Sequence, residues 1–542
     1  MRVRKPLLLS LGAMLLITGL SHGPAWARRD LKAYLEVSQV LDAERAGMTE
    51  VLTYSAASAG GDATFDGHRL QGQASYRYER RIPSNGKTNG GDNHNGLARG
   101  AYKLSENLKL DASALATRAR NDLRNGIDSR NGSNQVYSVN IGPTLQTRAA
   151  MLDLNASYHL GYVNVDDPDE VTETGSILPT DRYDQSLRHK VQASVGMKPG
   201  DLPFGWTVSG NYDREDTDWL DQKSVNNEVR AQVLMPLNST FALKGSVGYE
   251  DVEVGERRAS FDASGVPLVD AKGRYIVDPT SPRVLSYDYR GLSYDAGFSW
   301  KPNPRLALDM SFGKNDGKTA INGALDYKIS ASIGLRASVS SGLDSFGRGL
   351  NNSLGRCSFG GTSGCLGNAL SQISPYNSYS RRASLSLNGE SGRWNGELGI
   401  GLSRRQYLVP ASLDPFGIYR RSQNDYWVQA NLARKIGDSG TIASGIYAGT
   451  SNPLIGRAFK QTNFGANMSY NRAITHRLSG VTSLGYSTSH QKSGDTFSTA
   501  SARVGMRYDF RPDGKRSSYV YRTLWIFGPS IPIDAGPRIL LR

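Results

Sequence analysis

The stretch 151–162, MLDLNASYHLGY, separates into two faces when its residues are taken alternately. Leu152, Leu154, Ala156, Tyr158, Leu160 and Tyr162 fall on one side, and Asp153, Asn155, Ser157 and His159 on the other. A period of two belongs to an extended strand, because successive side chains point to opposite faces of the pleat. The segment therefore reads as a strand with one apolar and one wet face. The same split recurs in LKLDASALA, where Leu108, Leu110, Ala112 and Ala114 oppose Lys109, Asp111 and Ser113. In RWNGELGIGLSRRQ, Trp394, Leu398, Ile400 and Leu402 oppose Arg393, Asn395, Glu397, Ser403 and Arg405. LSYDAGFSW, LALDMSFG, FALKGSVGY and LQGQASYRY repeat the pattern. Each is roughly as long as a tilted membrane-spanning strand, about 9 to 11 residues.

A soluble sandwich also alternates, so the connections decide between the two readings. Short turns occur at KLSENLKL, TLQTRAAML, MKPGDLPFGW, MPLNSTFAL, WKPNPRLAL, NGESGRWNG, ARKIGDSGTIA and YNRAITHRL. Between them lie longer polar segments at 83–94, 121–135, 166–183, 253–286, 343–377 and 408–424. Short and long connections thus alternate, as they do in an outer-membrane barrel with tight periplasmic turns and long outer loops. Counting in this way from Leu31 to Phe510 predicts a closed antiparallel transmembrane β-barrel of about 22 strands, within a range of 18 to 24. Closure leaves no backbone group unpaired in lipid. Tyr76, Tyr78, Trp206, Tyr249, Trp300 and Trp394, near strand ends, suit interfacial girdles, although each also suits ordinary strand packing.

The N-terminus sets the compartment. Arg2, Arg4 and Lys5 precede an apolar run from Leu7 to Leu20 and the small-x-small site Ala25-Trp26-Ala27, the pattern of a secretory signal peptide over 1–27. A retained anchor is the other reading of that run. No later window approaches the roughly 18 apolar residues of a membrane helix. A mean hydropathy of −0.45 with 60 Gly and 27 Tyr favours many strands over packed helices. Without the three basic signal residues, 61 Lys and Arg stand against 50 Asp and Glu, a net charge of about +11. The compartment offers no nucleic-acid partner. It does imply outer-membrane lipid and the barrel-assembly machinery, since RVGMRYDF (503–510) resembles the final-strand signal that this machinery reads. The reading is a barrel over 28–510 followed by a tail over 511–542, although the turn-like RPDGK and the strand-length SSYVYRTLWIF keep a further strand open. Cys357 and Cys365 bracket a Gly/Ser-rich stretch and read as one disulfide in an outer loop.

Catalytic chemistry is not indicated. The seven His show no HExxH spacing, no G-x-S-x-G elbow occurs, and GGTSGCLG lacks the Lys-Ser/Thr of a phosphate loop. Ser157 and His159 share a face but read as polar filler. DDPDEVTETG (166–175) lacks the ordered spacing and Gly of a calcium loop and reads as a solvated acidic loop. No enzyme, metal or cofactor is expected. Function falls instead to the lumen, with candidate lining residues Arg77, Lys109, Asp111, Asp153, Arg230, Lys244, Arg393, Glu397, Arg405, Arg503 and Arg507. Both signs are present, so many of these should pair across strands.

YLEVSQVLDAE (34–44), EVLTYSAASAGGDA (50–63) and GQASYRYERRI (72–82) resemble the opening of an uncharacterised outer-membrane family associated with the PEP-CTERM/exosortase system. The resemblance implies a setting of exopolysaccharide synthesis and export, with polysaccharide and export-machine components as partners, and supplies no site residues. The functional expectation is a barrel serving exopolysaccharide export or surface assembly, as conduit or accessory. A general or substrate-specific porin and a structural or adhesive surface barrel with a plugged lumen are the alternatives. A TonB-dependent receptor would carry a sizeable plug before its barrel, whereas strand-like sequence here begins almost at the cleavage site.

Overall fold

The computed structural model describes residues 28–46, 48–84, 92–120, 133–166, 184–200, 202–270, 274–356, 376–410, 422–452, 460–492 and 496–510. The signal segment, the 511–542 tail, most of the acidic loop and both cysteines lie outside them. Alternation of apolar and polar residues produces 22 strands, each antiparallel to its neighbours in sequence, from β1 (Arg28–Ala46) and β2 (Met48–Asp66) to β22 (Thr496–Phe510). β22 pairs with β1 from Ala33↔Phe510 to Arg45↔Ser498, which closes the sheet. No helix among the described residues is long and apolar enough to cross a membrane, and the strands carry the membrane-facing surface. Their outward positions form an apolar band: Leu35, Val37 and Leu41 on β1 and Val504, Met506 and Phe510 on β22 are all exposed. In the same two strands Glu36, Ser38 and Asp509 face inward and are buried. An apolar outside, a polar inside and no free edge place the protein in the outer membrane.

All eight turns read as short in the sequence lie at one end of the barrel, and the strand ends that bound the long segments lie at the other. The strands, however, exceed spanning length. β12 (Val284–Asn303) has 20 residues and β1 has 19. Their outer ends continue above lipid, where the outward face turns polar: Arg290 on β12 meets Asp251 at 3.2 Å, and also Glu253, on β11 (Phe241–Glu256).

One place in the wall is low. β13 (Leu306–Asn315) and β14 (Lys318–Lys328) meet at Asp316-Gly317, where φ values of +50° and +69° make a tight hairpin turn of the Asp-Gly kind. Above it, β12 pairs only with β11 from Val284 to Ser293. Residues 340–344 of β15 (Ile333–Asp344) likewise pair only with β16 (Ser378–Ser391). The two flanks lap over one another instead. Val252 and Val254 of β11 pack with Leu343 and Leu408, and Tyr287 covers them.

The largest departure from the sequence reading is the long segment after β15. It does not simply extend outward as a polar loop. It begins with a helix, α1 (Phe346–Arg356), that packs against the inner wall at β5 (Leu108–Arg120), β6 (Ser133–Ala149), β7 (Leu152–Asp166) and β8 (Gln185–Met197). Phe346, Leu350 and Leu354 recur every fourth residue and are buried, so a single stripe of α1 meets the wall.

Candidate functional site

Inward positions of neighbouring strands bring distant charges together in the lumen. Glu36 accepts two hydrogen bonds from Arg77, at 3.0 and 3.2 Å, and one from Arg503 at 2.6 Å. Glu79 accepts from Arg77 at 3.0 Å and lies 3.6 Å from Arg503. Arg230 donates to Glu228, Asp295, Ser246 and Asn315 at 2.5 to 2.9 Å. Lys244 meets Asp309, Lys109 meets Asp111 at 3.3 Å, and Asp153 lies between Arg148 and Lys198 at 3.1 and 3.6 Å. Arg405 is 3.9 Å from Asp425, and Arg507 pairs with Asp509 at 2.9 Å while stacking over the Tyr34 ring. Glu397 stands on the inward face of β17 (Trp394–Tyr407), opposite Asn431. Arg393 is elsewhere: it sits exposed in the two-residue turn before β17, where the positive φ of Gly392 carries it off the ladder to the periplasmic rim. The wall is thus a set of ion pairs with few unopposed charges.

The outer half of this lumen holds α1, which is fastened by groups that the sequence reading did not single out. Ser345 caps the helix by accepting the Arg348 backbone N–H at 3.0 Å, and its own hydroxyl donates to Glu215. Arg188 on β8 grips Asp213 on β9 (Gly205–Thr217) with two hydrogen bonds, at 2.7 and 2.5 Å, and donates to Asn352 at 2.9 Å. Arg348 lies 3.7 Å from the same Asp213, and the side chains of Arg188, Asp213 and Arg348 are all under 10% exposed. Asn351 accepts from Ser138 at 3.1 Å. Beside it the wall is bare backbone: a Cβ at Gly161 would stand 2.4 Å from the Asn351 amide nitrogen, so glycine leaves the room that the Asn351 side chain occupies. The available signal was Ser345 followed by Phe346, Leu350 and Leu354 at helical spacing. Three glycines and a length of 11 residues hide it, because such a helix is stable only when packed.

The returning end of the segment is tied down as well. Asn377 donates to Gln222 at 2.7 Å, Gln222 donates to Glu256 at 2.9 Å, and the Tyr376 ring meets Trp219 edge-on at 4.9 Å. Leu220 and Asp221, in the tight turn that carries these partners, adopt φ of +47°, a conformation that disfavours side chains. Over this turn lie residues 257–270 and 274–283. Arg257 and Arg283 reach Asp221 at 2.8 and 2.6 Å, while Arg274 gathers Asp270 at 2.7 Å, Asp184, and Asp218 at 3.8 Å. Burial pushes the Asp218 carboxyl up to about 6, against the Gln185 N–H that it accepts; neighbouring Asp184 adds to the rise and Arg274 opposes it. The result is a barrel with an ion-paired polar wall, whose outer half receives α1, held to β6, β8 and β9 through side chains.

The chain is similar in fold to large outer-membrane transporters. The FrpB iron transporter from Neisseria meningitidis (F5-1 variant, apoprotein form) is 10% identical with a TM-score of 0.46, over 88% of this chain and 81% of that one. The ferric-catecholate import receptor Fiu from E. coli K12, open form, is 9% identical with a TM-score of 0.46, over 88% and 81%. The copper transporter OprC is 10% identical with a TM-score of 0.42, over 89% and 81%. No family model matches the chain, and no curated protein matches it in sequence. Likeness at this level concerns the barrel and transfers no ligand.

Proposed function

We propose that the protein passes, or helps to pass, a polar exopolysaccharide across the outer membrane, with α1 as a movable stopper. The observation that carries the reading is the way α1 is held. It occupies the lumen through side-chain contacts with the wall and adds no strand to the sheet, so its withdrawal breaks no ladder. A wall of paired Arg, Asp and Glu offers sugar hydroxyls exchangeable hydrogen bonds without a deep trap. The resemblance of residues 34–44, 50–63 and 72–82 to an outer-membrane family associated with the PEP-CTERM/exosortase system supports the polymer as cargo. Deletion of the gene should reduce released and cell-bound polysaccharide while small-solute uptake stays normal; lost uptake with intact polymer would make the protein a porin.

The buried Arg188–Asp213–Arg348 cluster favours a second reading, a surface barrel whose lumen stays shut. Planar-bilayer conductance separates the two. Under the stopper reading the wild-type barrel conducts little, and replacing 346–356 by a Gly/Ser linker opens it. Opening transitions of the intact wild-type barrel support the stopper, and a wild-type barrel that opens only once 346–356 is replaced supports the permanent plug.

A further inference from the structure

We propose that the outward face of β16 and β17 carries a binding site for the phosphate groups of an anionic lipid in the outer leaflet. Down β17 the outward column reads Trp394, Leu398, Ile400, Leu402, Arg404. Arg404 stands ten positions beyond Trp394. At about 3.3 Å per residue and a tilt near 40°, that distance spans about 25 Å of membrane, the height of the apolar band. Trp394 therefore marks the inner lipid boundary, and Arg404 stands at the outer one.

Arg381 is the direct cross-strand partner of Arg404, and both are exposed on the same outward face. Like charges in such a position repel. Among the described residues no carboxylate pairs with either. The contrast with Arg290 is informative, since that outward arginine is neutralised by Asp251 and Glu253. A third cation joins from the low hairpin: Lys318 Nζ lies 5.0 Å from the Tyr379 ring centre, and Arg381 Cζ lies 5.8 Å from the same ring. The patch is braced in advance. Arg381 donates to the Thr319 carbonyl at 3.0 Å, Tyr379 to the same oxygen at 3.1 Å, and Lys318 to Gln406 at 2.9 Å. Arg381, its cross-strand partner Arg404 and Lys318 share one patch of the outward face, where a phosphate would relieve their repulsion. The lipid is favoured over a soluble anion because Leu402 and Ile400, both exposed, continue directly below as a seat for acyl chains.

Native mass spectrometry of the full-length protein in detergent, titrated with diphosphorylated lipid A, tests the site. Wild-type protein should retain the lipid, and removing both phosphates should weaken binding at least tenfold, a comparison that needs no variant. The double substitution Arg381→Gln/Arg404→Gln should cause the same loss, Arg381→Lys/Arg404→Lys a smaller one, and Arg290→Gln none; heat-modifiable mobility on gels reports folding of each variant. Equal binding of the dephosphorylated lipid overturns the proposal, as does undiminished binding by a folded double Gln variant. Full displacement of the lipid by an equimolar amount of inorganic phosphate would show a free-anion site and also overturn it.

Discussion

Asp213 is the residue on which the seat of α1 turns. Its carboxylate faces two buried guanidinium groups, Arg188 and Arg348, and each is costly to bury without it. Breaking a buried pair by removing one partner costs about 3–5 kcal/mol. Asp213→Asn should therefore release the helix while leaving the ladders intact, seen as rapid proteolysis between β15 and β16 in a barrel that still migrates as folded. Asp218 makes a second prediction, concerning pH. Its carboxyl is raised to about 6 by burial, so the folded state holds the proton more tightly than the unfolded chain does. The resulting stability is complete below the unfolded value near 4 and is lost as pH rises through about 6. The rim clasp should accordingly melt at a lower temperature at pH 7 than at pH 5 in detergent, and Asp218→Asn should flatten that difference. The charge of Asp218 could be read in the sequence, but its burial could not: Gln185 and Arg274 reach it from other connections.

Among the elements, β17 and β18 (Ser422–Ile436) show how sharply the two faces differ. Ile400 faces lipid and Asn431 faces the lumen beside Glu397. An arginine at Ile400 should cost about 2–4 kcal/mol near the midplane and lower assembly yield, whereas Asn431→Arg should assemble normally. Heat-modifiability of the two variants checks this. For α1 the controlling element is β7. Gly161→Leu should drive Asn351 off the wall, seen as faster proteolysis between β15 and β16 in a barrel that still migrates as folded. Strand alternation was legible because a lipid face must be apolar at every second position. The helix was illegible because its 11 residues gain stability only from the wall they meet.

At the scale of the molecule, closure depends on one seam. Phe510 pairs with Ala33, and Arg503 on β22 shares Glu36 with Arg77 of β3 (Leu70–Pro83), so the first and last strands are joined by ladder and by charge. A chain stopped after Phe510 keeps every strand pairing of the described residues and should enter the membrane at wild-type yield; failure to assemble would assign the following residues a place in the barrel. The seam also explains why ASARVGMRYDF (500–510), read as the last strand, has sequence beyond it: that stretch ends the sheet and need not end the polypeptide.

The sequence by itself determined the strand class, the inward and outward faces and the alternation of turns. Each of these follows from a local rule: in lipid the backbone must pair with itself and every second side chain must be apolar. Tertiary structure alone decided what fills the barrel. The Asp316-Gly317 hairpin is plain as a dipeptide, but that it leaves the wall low, and that the flanks overlap across the gap, depends on partners some 60 to 90 residues away, among them Glu250 and Asn226. The same holds for Arg348, an ordinary polar loop residue until Asp213 and Arg188, from strands more than a hundred positions earlier, close around it. Burial of a charge is a property of what surrounds it, and a linear pattern does not contain the surroundings.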